Sequence, residues 1–254
     1  MNKKFVLTSN VRRFAEAAGQ FDKRAVGEKC FVLALGNAGL GKTRTINWWG
    51  VQNDALVVRL KQGCTSNFFL TELLNEMGIE PKHGLAKMFA QALGALREHR
   101  RKIVVDEIEN CLGRGAEVLQ TLRDLTDSLE IQVVLGGRDH CKAALRRRPE
   151  LWTRIVALAE FKSATLDDVA ACCEQLSEVP IERDAVAEIH RQSEGFVREV
   201  IEAVGRAEKV GKMNKRPVTL QDLRGVELVN GWQMSGGAKS TDRARQLDGK
   251  ANHV

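Results

Sequence analysis

Eight consecutive residues, Gly36-Asn37-Ala38-Gly39-Leu40-Gly41-Lys42-Thr43, satisfy the spacing G-x-x-x-x-G-K-[ST] in full. The glycines permit a tight loop whose backbone N–H groups face an anion. A following helix adds partial positive charge at its N-terminus. Lys42 would reach the β- and γ-phosphates of a nucleotide, and the Thr43 hydroxyl offers an oxygen ligand to Mg²⁺. Thr45, in the same first turn, counts among the expected cofactor contacts. A second group is Ile103-Val104-Val105-Asp106-Glu107, an apolar strand ending in two acids. Asp106 would complete the metal shell, usually through water. Glu107 is placed to polarise an attacking water as general base. A strand ending in solvated acids is the simpler reading of the second group alone. Following a phosphate loop, it reads as the hydrolytic half of one site for ATP and Mg²⁺.

Such a site needs a parallel sheet with both motifs at its C-terminal edge. Cys30 to Leu35 is a continuous apolar run, as expected of a strand buried on both faces. Further strands are predicted at 55–60, 103–105, 131–135 and 155–159. Helical patterns fall at 43–49, 68–77, 85–97 and 116–129, after a lead-in over 5–19 with a short amphipathic helix. The alternation predicts an α/β P-loop domain with a five-stranded parallel sheet over residues 1–162. Lys42 and Asp106 would then sit on adjacent or near-adjacent strands. From Thr165 the pattern is helical only. Thr165-Leu166-Asp167-Asp168 has the form of a capping box with Asp in place of Glu, and further helices are expected at about 184–192 and from Gly195 to about 210. This predicts a small helical lid over 163–230. Residues 231–254 are poor in large apolar residues and predict a disordered or partner-ordered tail.

With 254 residues, 43% of them hydrophobic, the chain is long enough for one large domain or an α/β domain with a satellite. No apolar run is long enough to span a bilayer, and no signal-peptide pattern follows Met1, which predicts a cytoplasmic protein. Six cysteines without paired spacing read as reduced thiols. The five histidines fit no metal or triad pattern, and Trp48 and Trp49 read as packing residues. The net charge of +6 is uneven: residues 165–209 hold eleven acids and five bases, so the remainder carries +12. An acidic satellite beside a basic body could face a polyanion, although basic surfaces are common.

The phosphate loop, the Asp106-Glu107 strand, the stretch Gly115 to Leu119 and Val133-Val134-Leu135-Gly136-Gly137 together resemble an AAA+ ATPase with its helical lid. Within that superfamily the chain looks most like the transposition-regulator ATPases, phage Mu B protein and its TnsC-like relatives in Tn7-like and insertion-sequence systems. The resemblance implies that Arg154, in Trp152-Thr153-Arg154-Ile155, is an arginine finger reaching a neighbouring subunit's γ-phosphate. It implies that Arg198, in Gly195-Phe196-Val197-Arg198, is the lid's sensor arginine. An ordinary surface arginine is the alternative for Arg154, and an ion pair with Glu194 or Glu202 for Arg198. The sensor position after the fourth strand departs from the family pattern by reading Gly137-Arg138-Asp139, so Arg138 stands in for a polar sensor. Mu B itself begins with a helix-turn-helix domain, whereas this sequence starts almost at the ATPase core, so DNA contact would rest on the ATPase body.

The resemblance further implies rings or helical filaments on duplex DNA, held through the backbone without sequence preference, and a transposase as partner. Arg59, Lys61 and Arg114 are the candidate DNA contacts, with Arg146-Arg147-Arg148 a further option and solvated charge the alternative for each. Two other functions share the same site. One is a helicase-loader or initiator ATPase; the other is an ATPase switch acting on a protein without DNA.

Overall fold

A computed structural model describes residues 1–230. The tail expected over 231–254 lies outside the described residues. Five parallel strands form one sheet: β1 (Phe31–Leu35), β2 (Leu56–Arg59), β3 (Ile103–Asp106), β4 (Val133–Gly137) and β5 (Ile155–Glu160). Their order is β2-β3-β4-β1-β5. The strands of the two nucleotide motifs are therefore near-adjacent, separated by β4. Each predicted strand is present, with ends shifted by one or two residues.

The sheet is covered on both faces, which explains why its central strands are apolar except for Asp106 at the end of β3. Side chains of β1 alternate. Val32 and Ala34 join a cluster with Phe14 of α1 (Ser9–Gly19) and Ile46 and Trp49 of α2 (Lys42–Gln52). Phe31, Leu33 and Leu35 join the opposite cluster, built with α3 (Ser66–Glu76), α4 (Leu85–Glu98) and α5 (Glu117–Asp127). Two short helices that periodicity did not reveal, α6 (Cys141–Arg146) and α7 (Pro149–Trp152), connect β4 to β5.

Beyond β5 the chain forms a separate apolar cluster from α8 (Leu166–Leu176), α9 (Arg183–Ser193), α10 (Val197–Asn214) and the single turn α11 (Leu220–Leu223). The capping box at Thr165 forms, with the Thr165 hydroxyl accepting from the Asp168 N–H and the Asp168 carboxylate accepting from the Thr165 N–H. Asp168 also accepts from the N–H and hydroxyl of Ser9, both at 2.6 Å, tying the start of α1 to the start of α8. The lead-in ahead of α1 leans on these helices: Val6 is buried in their cluster, and Asn2 donates its N–H to the Leu176 carbonyl. All six cysteines are free. No helix among the described residues is long and apolar enough to cross a membrane.

Candidate functional site

The loop from Gly36 to Gly41 leaves the end of β1 and turns into α2. Gly39 and Gly41 have φ values of +84° and +87°, a left-handed conformation that side chains rarely adopt. A Cβ on Gly36 would lie 2.8 Å from the Cβ of Phe161, so the loop passes directly against the strand exit of β5. Lys42 folds back over the loop and donates from Nζ to the carbonyls of Gly36, at 2.5 Å, and Asn37, at 2.7 Å. Burial lowers its pKa, partly offset by the field of Asp106. An arriving phosphate would exchange these carbonyls for anionic oxygens, a stronger acceptor for an ammonium.

Asp106 reaches this loop from two strands away. Its Oδ2 accepts from the Thr43 hydroxyl at 2.7 Å, and its Oδ1 from the Glu107 N–H at 2.9 Å. The intervening strand allows this because position 136 is glycine: a Cβ there would lie 2.7 Å from Asp106 Oδ1. Gly136 is thus part of the site. The sequence offered the Gly136-Gly137 pair only as a family feature, without this geometric role. Burial raises the Asp106 pKa against the hydrogen bonds that lower it. A carboxylate and a hydroxyl already in contact fit Mg²⁺, which takes hard oxygens and completes its shell with phosphate and water. Among the described residues no group of three or more His, Cys, Asp and Glu could hold a metal by itself, so the nucleotide would have to supply ligands.

Glu107 sits in the left-handed region, φ 60°, and its carboxylate pairs with Arg59 at the end of β2. Hydrogen bonding to Arg59 holds its pKa below the ordinary carboxylate value. Asn110 donates to Glu107 Oε2 at 3.4 Å and to the Leu60 carbonyl at 2.9 Å, so the acid is gripped from two sides. Arg59, expected as a DNA contact, lies at the nucleotide cleft as the partner of Glu107, because parallel pairing sets it beside Asp106 in register, and its side chain is 65% exposed.

A cavity of about 400 Å³ gathers these groups, lined by Gly39, Lys42, Thr43, Arg59, Asp106, Glu107, Arg138 and Arg198 among others. Arg138 pairs with Glu109 at 3.2 Å. Arg198 is exposed to the cavity, and its N–H donates to the Gly39 carbonyl at 3.1 Å, fixing the start of α10 against the loop. The alternative ion pair of Arg198 does not form: Glu202 pairs with Arg206, and Glu194 has no ion pair among the described residues. Ala38 and Gly41 also line the cavity, whereas Leu40 is buried in the core. Thr45 faces elsewhere. It is buried, donates to the Gly41 carbonyl, and lines a narrow apolar slot of about 30 Å³ with Phe5, Val6, Thr8, Leu40, Cys172 and Leu176 among others.

Arg154 lies at the N-terminal end of β5, the opposite edge of the sheet from the loop. Asp127 holds its guanidinium through Nε and Nη2, the latter at 2.9 Å, and Glu28 lies 3.7 Å away. It cannot reach the chain's own cleft. Lys61 is exposed, with its ammonium 5.3 Å from the Phe68 ring centroid. Arg114 begins a short 3-10 turn, and its side chain lies outside the described residues. Of the 146–148 cluster, Arg146 covers the Trp152 ring and Arg148 donates to the carbonyls of Ala144 and Leu112. Trp49 packs in the core and Trp48 stacks on Phe5, as packing residues should.

The strand order, the loop between β1 and α2 and the acids ending β3 define a P-loop AAA+ fold with a helical C-terminal region. Residues 26–145 match the family model described as AAA domain. No curated protein matches the chain. Among solved structures it is similar to Cdc6p of Pyrobaculum aerophilum, at 17% identity and TM-score 0.60, over 85% of this chain and 64% of that one. It is also similar to the ORC2 protein of Aeropyrum pernix in ADPNP-ADP complexes, at 13% identity and TM-score 0.66, over 97% and 73%. The RuvB Holliday junction branch migration motor of Thermotoga maritima matches at 18% identity and TM-score 0.55, over 90% and 74%. The chain thus spans just under two thirds of the Cdc6p structure.

Proposed function

We propose that the protein is an ATPase that assembles on duplex DNA in its ATP-bound state and disassembles on hydrolysis. The observation that carries this is the cleft in which Lys42 and Thr43 at the start of α2 meet Asp106 and Glu107 at the end of β3. Lys42 and the loop amides would hold the β- and γ-phosphates. Thr43 and Asp106 would hold Mg²⁺, which supplies charge neutralisation on the phosphate oxygens. Glu107 would take the proton of the attacking water once it leaves Arg59. Arg138 and Arg198 add positive charge near the outer phosphate. Arg154, remote from its own cleft, is suited to a neighbouring subunit's site in a ring or filament after exchanging Asp127 for phosphate.

DNA contact through the backbone, without sequence preference, is supported by the basic balance of the chain outside residues 165–209 and by the likeness to an Aeropyrum pernix ORC1 protein solved in complex with DNA, at 15% identity and TM-score 0.58. The further proposal is that the assembly recruits or stimulates a transposase in the cytoplasm, the role of the Mu B and TnsC-like proteins it resembles in its short motifs. The domain division we propose is an ATPase core over 1–162 and a lid over 163–230. The likeness to Cdc6p and ORC proteins favours a second reading, an initiator or helicase-loader ATPase acting on a replication partner. One experiment addresses the shared core: phosphate release, together with the mobility of random duplex DNA at low salt, with ATP or a slow analogue. Glu107→Gln should keep ATP binding and lose turnover. No ATP-dependent shift would refute DNA assembly, and phosphate release by Glu107→Gln at the unaltered rate would refute the base assignment. Stimulation of a transposase, against stimulation of helicase loading, separates the two readings.

A further inference from the structure

The phosphate cleft and the apolar slot meet along four residues, Gly41, Arg44, Val197 and Ile201, each of which lines both. A nucleotide with its triphosphate over Lys42 and its base in the slot must carry its ribose and innermost phosphate across that seam. Of the four seam residues, only Arg44 has a charge or a side-chain hydrogen-bond donor. It stands two residues beyond Lys42 in the first turn of α2 and is exposed. Its Nη2 donates to the Lys4 carbonyl at 3.0 Å, and its guanidinium carbon lies 5.9 Å from the centroid of the Phe5 ring. That ring is itself stacked on Trp48 at 4.4 Å. The guanidinium has five donors, and one neutral carbonyl is its hydrogen-bond acceptor among the described residues.

We infer that Arg44 binds the α-phosphate of the nucleotide, and that it gives up the Lys4 carbonyl to do so. This rests on the reading of the cleft as an ATP site. The G-x-x-x-x-G-K-[ST] spacing ends at Thr43 and says nothing of position 44. The exchange is favourable in direction, because a guanidinium bonds an anionic oxygen about twice as strongly as a neutral carbonyl. It also answers a steric problem. The slot, at about 30 Å³, holds little more than a water molecule. Its outer wall is the Phe5–Thr8 strap, and Arg44 fastens that strap to α2 through Lys4. Binding the α-phosphate would release the strap at the moment the base needs room.

The test is titration calorimetry of ATP and ADP, each with Mg²⁺, on the full chain and on Arg44→Met and Arg44→Ala. Methionine keeps an apolar stem and removes the charge. Both variants should bind ATP and ADP more weakly by the same factor, roughly ten- to hundredfold for a lost charge-assisted hydrogen bond. Unchanged affinity in both would overturn the assignment. Weakening for ATP alone would move Arg44 to the γ-phosphate and also overturn it. Loss in Arg44→Ala but not Arg44→Met would make its role packing. If the unaltered protein binds neither nucleotide, the ATP reading itself falls; if it binds both and the variants match it, only the Arg44 assignment falls.

Discussion

Removing the Arg59 side chain tests whether Glu107, the proposed general base, is held in check. In the role proposed for it Glu107 would accept a proton from water, yet its carboxylate is engaged by Arg59, and that contact lowers its pKa. The pair is open to solvent, with Arg59 65% and Glu107 33% exposed, so its strength is that of a screened surface ion pair, about 0.5–1 kcal/mol. Freeing the base removes that cost from the path to the transition state. At 1.36 kcal/mol per factor of ten, turnover of Arg59→Ala should rise about two- to fivefold at saturating ATP without DNA. The restored basicity of Glu107 acts in the same direction, since a stronger base draws a proton more readily. The readout is steady-state phosphate release, with Glu107→Gln as the baseline. A fall of tenfold or more would refute the reasoning, because it would make Arg59 a group that the reaction requires. Unchanged turnover together with weaker DNA binding would return Arg59 to the role its sequence position had implied.

Two further outcomes follow from the same geometry. Gly195 has φ +72°, and a Cβ there would lie 2.6 Å from the Ala164 carbonyl oxygen, so Gly195→Ala should destabilise the protein by about 2–4 kcal/mol, read as the shift of its denaturation midpoint. The Glu188 carboxyl is held down at about 2, from an ordinary 4.5, chiefly by Arg191 with help from Gln192. Its stabilising contribution is therefore complete above 4.5 and is lost as the pH falls toward 2. Because Arg191 is 71% exposed, that contribution is on the order of 0.5–1 kcal/mol, and Glu188→Gln should flatten the acid limb of stability by that amount.

The sequence determined the elements and the residue types of the site. Its phosphate loop is contiguous, so spacing alone singled out Lys42 and Thr43, and apolar runs marked the strands, interrupted only by Gln132 ahead of β4 and Arg59 at the end of β2. The capping box at Thr165 was readable for the same reason: its partners are three residues apart. The short helices α6 and α7 were not readable, since six and four residues give no period.

What only the tertiary structure decided is every relation that crosses strands. The order β2-β3-β4-β1-β5 sets Arg59 beside Asp106, and this brings its guanidinium onto the Glu107 carboxylate. Gly136 on β4 opens the passage through which Asp106 reaches Thr43. The N-terminal strap meets α2, α8 and α10 to make the seam where Arg44 stands. Each depends on residues far apart in the chain, brought together by burial of a common core. Local periodicity carries no record of such pairings, because the pattern of a strand fixes which faces it buries and not which strand lies next to it.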